Sequence, residues 1–196
     1  MGYFTYRLFR EVSLETLVKK VEANLALYEA GSVGKRLQVT AFQGDGCSAL
    51  LMGYLNQEES VLWPIGLQFG CIWMDVRYQD GDWWDLTAYE GPKHRVSHSV
   101  NPWANDPHVA YDQRRIDHRI NRICELWPRQ GDTLRPYLLP WRVPSRWLGR
   151  RRLVSRAGKA YETDKHGYGD ADQINDFIGR FGITPTSQTI VIKSSD

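Results

Sequence analysis

The sequence predicts an α+β fold: an antiparallel or mixed sheet with a central β-meander, three main helices packed on it, and an irregular Pro- and Arg-rich insertion. Three observations predict it. Residues 70–99 alternate apolar and polar side chains in runs broken at Asp80-Gly81 and Gly91-Pro92, the pattern of adjacent antiparallel strands. Residues 14–30, 107–127 and 171–181 instead repeat apolar side chains at helical spacing. Residues 128–150 carry four Pro and two Trp with no period at all.

In chain order, the aromatic-rich alternation of 3–10 reads as a strand, with Phe4, Tyr6 and Leu8 on one face. Ser13 suits the N-cap of a helix over 14–30, with Glu15 in the first turn where the helix dipole favours a carboxylate. Leu14, Leu17, Val18, Val21, Leu25 and Tyr28 form its apolar stripe, and Gly31 suits its end. Residues 36–43 alternate again, and the Gly44-Asp45-Gly46 turn leads to a second strand over 47–55. A short helix fits 57–68, although Pro64 and Gly66 both act against it.

Within 70–99, Ile72, Met74, Val76 and Tyr78 oppose Trp73, Asp75 and Arg77 across the strand. Asp80-Gly81 fits a two-residue turn, because both central residues of that turn need positive φ. Trp84, Leu86 and Ala88 then share the greasy face, and a third strand covers about 94–99. Asp106 with Pro107 suits the start of the 107–127 helix, which Pro128 ends. Residues 153–157 suit a short strand, Asp170 caps the 171–181 helix, and 188–193 read as a closing strand.

The 196 residues make a single domain, with 128–160 an irregular basic segment inside it. A net charge of +2 argues against a partner chosen by overall charge. No apolar run is long enough to span a bilayer, and the N-terminus lacks the apolar stretch of a signal peptide. Three cysteines without CxxC spacing fit free thiols in a reducing cytoplasm.

Eight Trp make the chain tryptophan-rich and raise two candidate binding surfaces. The first is the basic segment: Arg142, Arg146, Arg150, Arg151, Arg152, Arg156 and Lys159, with Trp141 and Trp147 alongside them and no acidic residue. Arg with aromatic stacking suits nucleic acid, and an acidic protein would use the same patch. The second is a hairpin face of Trp73, Asp75, Trp83 and Asp85. Paired carboxylates beside aromatics are what sugar chemistry needs, but Asp85 also suits pairing with Arg77 across the strands. His94 and His98, four apart in a strand, stand too far apart for one metal ion. His108, His118 and His166 have no evident acidic partner, and Cys47 in GDGCS lacks the elbow of a catalytic nucleophile.

The hairpin DGDWWDLTAYEG, the loop HSVNPW and the late run GDADQINDFIGRFGI together resemble a diffuse set of uncharacterised bacterial α/β domains found beside toxin or defence genes. The resemblance covers residues 68–103 and 169–183, and the 128–160 segment departs from it. It implies an immunity or interaction role. The expectation is therefore a cytoplasmic, non-enzymatic binding protein without metal or cofactor, whose partner is another protein and not a membrane. A nucleic-acid-binding module and a carbohydrate-active or sugar-binding protein are the alternatives.

Overall fold

A computed structural model of the protein describes residues 3–29, 38–53, 56–79, 83–102, 110–145, 153–170, 172–184 and 187–193. Its frame is an antiparallel sheet of seven strands with helices on both faces. The strands are β1 (Tyr3–Arg10), β2 (Gln38–Gly44), β3 (Cys47–Gly53), β4 (Ile72–Gln79), β5 (Trp83–Glu90), β6 (Lys93–Ser99) and β9 (Thr189–Lys193). Their spatial order is β6-β5-β4-β1-β3-β2-β9. The run β4–β6 thus occupies one half of the sheet and not its centre. The central strand is β1, the first in the chain, hydrogen-bonded to β3 on one side and β4 on the other.

Strand alternation divides the sheet into two apolar faces, each needing a cover. On one face Phe9, Val39, Ala41, Leu50, Met52 and Trp73 meet helices α1 (Leu14–Glu29) and α2 (Asn56–Phe69). The α1 stripe of Leu14, Leu17, Val21 and Leu25 is buried there, and the Ser13 hydroxyl accepts the Thr16 N–H at 3.2 Å as the cap. On the other face Leu8, Met74, Val76, Trp84, Leu86 and Val96 meet α3 (Gln113–Leu126), α4 (Gly131–Leu134), a 3-10 turn (Arg135–Leu138) and α5 (Gln173–Gly179). A small ribbon of β7 (Arg142–Pro144) and β8 (Leu153–Ser155) flanks this layer. No helix among the described residues is long and apolar enough to cross a membrane.

Register follows hydrophobic matching. Tyr78 stands opposite Trp84, Val76 opposite Leu86 and Met74 opposite Ala88. That pairing sets Gln79 against Trp83, so three residues join β4 to β5 and the two-residue turn expected at Asp80-Gly81 is corrected. A two-residue turn would have slipped the register by one and set Tyr78 against Trp83. Residues 80–82 themselves lie outside the described residues. In contrast, Asp45-Gly46 is a two-residue turn between β2 and β3, with Gly46 at φ 66°, the left-handed region glycine tolerates.

Two helices also depart from their expectations. The third helix begins at Gln113, capped by Asp112, whose carboxylate accepts the Arg115 N–H at 3.1 Å. Residues 103–109, with the expected Asp106-Pro107 start, lie outside the described residues. Helix α2 forms despite Pro64 and Gly66, and Gly66 has a positive reason to be there. A Cβ on Gly66 would sit 2.6 Å from the Trp73 indole, so only glycine lets α2 close on that ring.

The polar centre of the α1–α2 face is a buried ion pair. Arg7 and Asp75 stand opposite each other on β1 and β4, both fully buried. Arg7 Nε donates to Asp75 Oδ1 at 2.6 Å and Nη2 to Oδ2 at 2.9 Å. Its Nη1 donates to the Leu62 carbonyl of α2 at 2.8 Å. The guanidinium lies 5.1 Å from the Trp73 ring centre and 5.5 Å from that of Trp63, within cation–π range.

Two stability outcomes follow from these contacts. Asp75→Asn leaves a buried guanidinium without its counter-charge and lowers unfolding free energy by about 3–5 kcal/mol, whereas Arg7→Met with Asp75→Leu recovers much of that loss. Urea unfolding of the two variants checks the order. Gly66→Ala pushes a methyl into Trp73 and costs about 1–3 kcal/mol, while Gly179→Ala, with open space around it, gains up to about 1 kcal/mol of helix propensity. Equal urea midpoints for the two alanine variants would contradict the close approach at Trp73.

Candidate functional site

The hairpin residues are used by the core. Trp73 is fully buried, donates Nε1–H to the Gly91 carbonyl at 2.8 Å and stacks on Tyr89 with ring centres 4.1 Å apart. Trp84 is buried against Phe177 of α5. Asp75 and Asp85 do share one sheet face, but Asp75 is spent on Arg7 and lies 3.7 Å from Arg77. Asp85 is half-buried and stands opposite Arg77, in the register that cross-strand pairing anticipates. The Trp83 side chain lies outside what is described. A binding face built on Trp73 and Asp75 is therefore corrected: neither side chain has surface to offer a ligand.

The basic segment splits in a similar way. Trp141 is buried, its Nε1–H donating to Gln173 Oε1 at 3.2 Å, so it anchors the segment and is not a stacking platform. Arg156 is half-buried; its Nε donates to the Pro140 carbonyl at 3.0 Å and its guanidinium lies over the Tyr168 ring at 5.4 Å. Arg142 is exposed on β7. Trp141 and Arg156 are brought together, the Arg156 N–H donating to the Trp141 carbonyl at 2.7 Å. Arg146, Trp147, Arg150, Arg151 and Arg152 lie outside the described residues.

What ties this segment down is a polar knot. Tyr137 donates its hydroxyl hydrogen to Asp164 Oδ1 at 2.7 Å. Arg180 donates Nε–H to that hydroxyl at 2.8 Å and Nη2–H to Asp164 at 2.5 Å, lying 4.2 Å from the Tyr161 ring centre. Burial, then the Asp164 carboxylate, pushes the Tyr137 phenol well above its ordinary range, so it stays a neutral donor. The knot is structural.

The thiols are equally quiet. Cys47, Cys71 and Cys124 are free, and burial pushes Cys47 up to about 12 and Cys71 up to about 11. Neither offers a thiolate near neutral pH.

An open surface exists elsewhere. Among the described residues, Leu8, Cys47 and Ala49 of β1 and β3 are buried on the α3–α5 face, whereas Phe4, Tyr6, Thr40 and Leu51 are only half-buried. A groove of about 410 Å³ lies there, lined by Phe4, Tyr6, Thr40, Leu51 and Gly53, with Asp172 and Asn175 at its α5 side. Its aromatic floor continues sideways. Phe4 stacks on Tyr78 with ring centres 4.6 Å apart at 12°, and meets Tyr6 edge-on at 5.7 Å. Thr40 pairs with Val191 of the edge strand β9, and Val191 is 50% exposed. The Phe4 and Tyr6 alternation in β1 was the sequence signal for this floor. Nothing in the pattern said that a groove would open over this floor.

One histidine also departs from its expectation. His166 does have an acidic partner: its Nδ1 lies 2.9 Å from Asp170 Oδ2, four residues on, in an irregular turn. Comparison with known proteins gives no match: no family model fits the chain, and no curated protein or solved structure is significantly similar to it.

His98, expected in a third strand, is buried in β6, with Nε2–H donating to the Leu138 carbonyl at 2.7 Å. Burial, offset in part by that hydrogen bond, lowers its pKa from 6.5 to about 4. The unfolded chain therefore binds the extra proton between pH 6.5 and about 4, and the folded chain does not. His98 contributes full stability above about pH 6.5 and loses about 3 kcal/mol as pH falls toward 4. Urea midpoints of the wild type and His98→Gln, measured at pH 7.5 and 4.5, isolate this part; the wild type should lose more on acidification than the variant.

Proposed function

We propose that this chain is a non-enzymatic binding protein that takes an extended segment of another protein along the groove over Phe4, Tyr6 and Leu51 and the neighbouring edge strand β9. The observation that carries the reading is the continuity of the apolar floor. It runs from Tyr78 and Phe4 through Tyr6 and Leu51 to Val191, on a strand that pairs only with β2 among the described residues. An edge strand with open backbone groups beside an apolar floor suits strand addition: main-chain hydrogen bonds give affinity and the floor selects side chains. Asp172 and Asn175 at the rim supply acceptors that orient the incoming chain.

An immunity or defence role belongs to this proposal. It is supported by the resemblance of DGDWWDLTAYEG and GDADQINDFIGRFGI to domains beside toxin genes, and it would make the partner a toxin. Placement in a reducing cytoplasm belongs to it too and is supported by the three free cysteines.

A second reading, nucleic-acid binding, is favoured by one observation. Arg114 and Arg115 of α3 are exposed without an acidic partner among the described residues, and so is Arg142 of β7. Affinity capture from the native host, run with wild type, Leu51→Arg, Val191→Glu and Arg142→Glu, separates the two. A protein recovered in equal amount with the wild type and Arg142→Glu, and lost with the two groove variants, supports the groove and edge strand. Capture that fails only with Arg142→Glu, or a complex that weakens steeply with salt and contains nucleic acid, transfers function to the basic surface.

A further inference from the structure

We propose that His166, Asp170 and Asp172 form a binding site for one divalent transition-metal ion. His166 Nδ1 and a carboxylate oxygen from each aspartate all lie within 4.8 Å of one another. Donors held so close need only small side-chain rotations to meet a common ion at ordinary coordination distances of about 2.0–2.2 Å. The donor set is mixed, one imidazole nitrogen with two carboxylate oxygens. Imidazole selects first-row metals such as zinc, copper, iron or nickel, over calcium and magnesium, which prefer all-oxygen cages. Three protein donors also leave coordination positions for water or an incoming ligand.

The turn that carries them is already organised around the donors. The His166 N–H donates to Asp176 Oδ2 at 2.8 Å, and the Asp172 N–H to Asp170 Oδ1 at 2.9 Å. His166 is half-buried and the aspartates are exposed, so an ion reaches them from solvent. Asp172 also lines the groove of about 410 Å³ described above. A metal held here would stand at the groove's rim with its open positions near that cavity. The site itself does not depend on what fills the groove.

The test is metal titration of the full chain at pH 7.5, by calorimetry with Zn²⁺ and by the visible spectrum of Co²⁺. One saturable equivalent is expected for the wild type, with cobalt bands of nitrogen–oxygen ligation. His166→Gln and Asp172→Asn should each weaken binding by about tenfold or more. His94→Gln, which removes an exposed histidine elsewhere, should leave it unchanged. All three positions are surface-accessible, and an unchanged melting temperature without metal confirms that the variants fold. Absence of saturable binding at millimolar metal, or binding that survives both substitutions, overturns the site and leaves His166 and Asp170 as a solvated pair.

Discussion

The buried pair of Arg7 and Asp75 is the constraint on which the rest of this structure depends. It sits on the central strand, the one that joins the two halves of the sheet. Each guanidinium nitrogen has a partner, and two indoles flank the charge. Desolvating both ions costs several kcal/mol, so such a pair is weak as a source of net stability. Its value here is in register. A slip of β1 against β4 by one residue would set Arg7 against Met74 or Val76 and strand a charge in hydrocarbon. Because Nη1 also holds the Leu62 carbonyl, the pair positions α2 as well as the strands.

The packing of α2 onto that centre explains an apparent conflict. Pro64 and Gly66 are poor helix residues, yet the helix is there. Ile65 and Leu62 bury into the core, and Gly66 admits the Trp73 ring that also flanks Arg7. Tertiary burial outweighs local propensity, as it commonly does for helices of this length.

The two faces of the sheet are not covered alike. On the α1–α2 side the apolar residues from Val39 and Ile192 to Trp73 form one closed cluster. On the other side the C-terminal layer centres on Phe177, which meets Trp84, Tyr137 and Phe181. The Tyr137–Asp164–Arg180 knot pins the Pro-rich segment to that layer, and Tyr137 and Trp141 are spent inward. Among the described residues, the strip from Phe4 to Val191 is left partly exposed. The same geometry that buries most of the tryptophans described therefore leaves a groove lined by Phe4, Tyr6 and Leu51.

The sequence by itself determined the α+β class, the alternating faces of β1 and β4, the stripe and cap of α1, and the Asp45-Gly46 turn. Each of these rests on interactions within a few residues: the period of a strand, a capping hydroxyl, a glycine at positive φ. Only the tertiary structure decided the strand order with β1 at the centre, the burial of Trp73, Asp75 and Trp141, the three-residue link after Gln79, the pairing of His166 with Asp170, and the groove lined by Phe4, Tyr6 and Leu51. The physical reason is that alternation says which residues share a face but not which element will cover it. Whether an indole is a platform or a core residue depends on partners tens of residues away. Trp73 meets Gly66 of a helix that propensity disfavours, and Trp141 meets Gln173 of a helix 32 residues on.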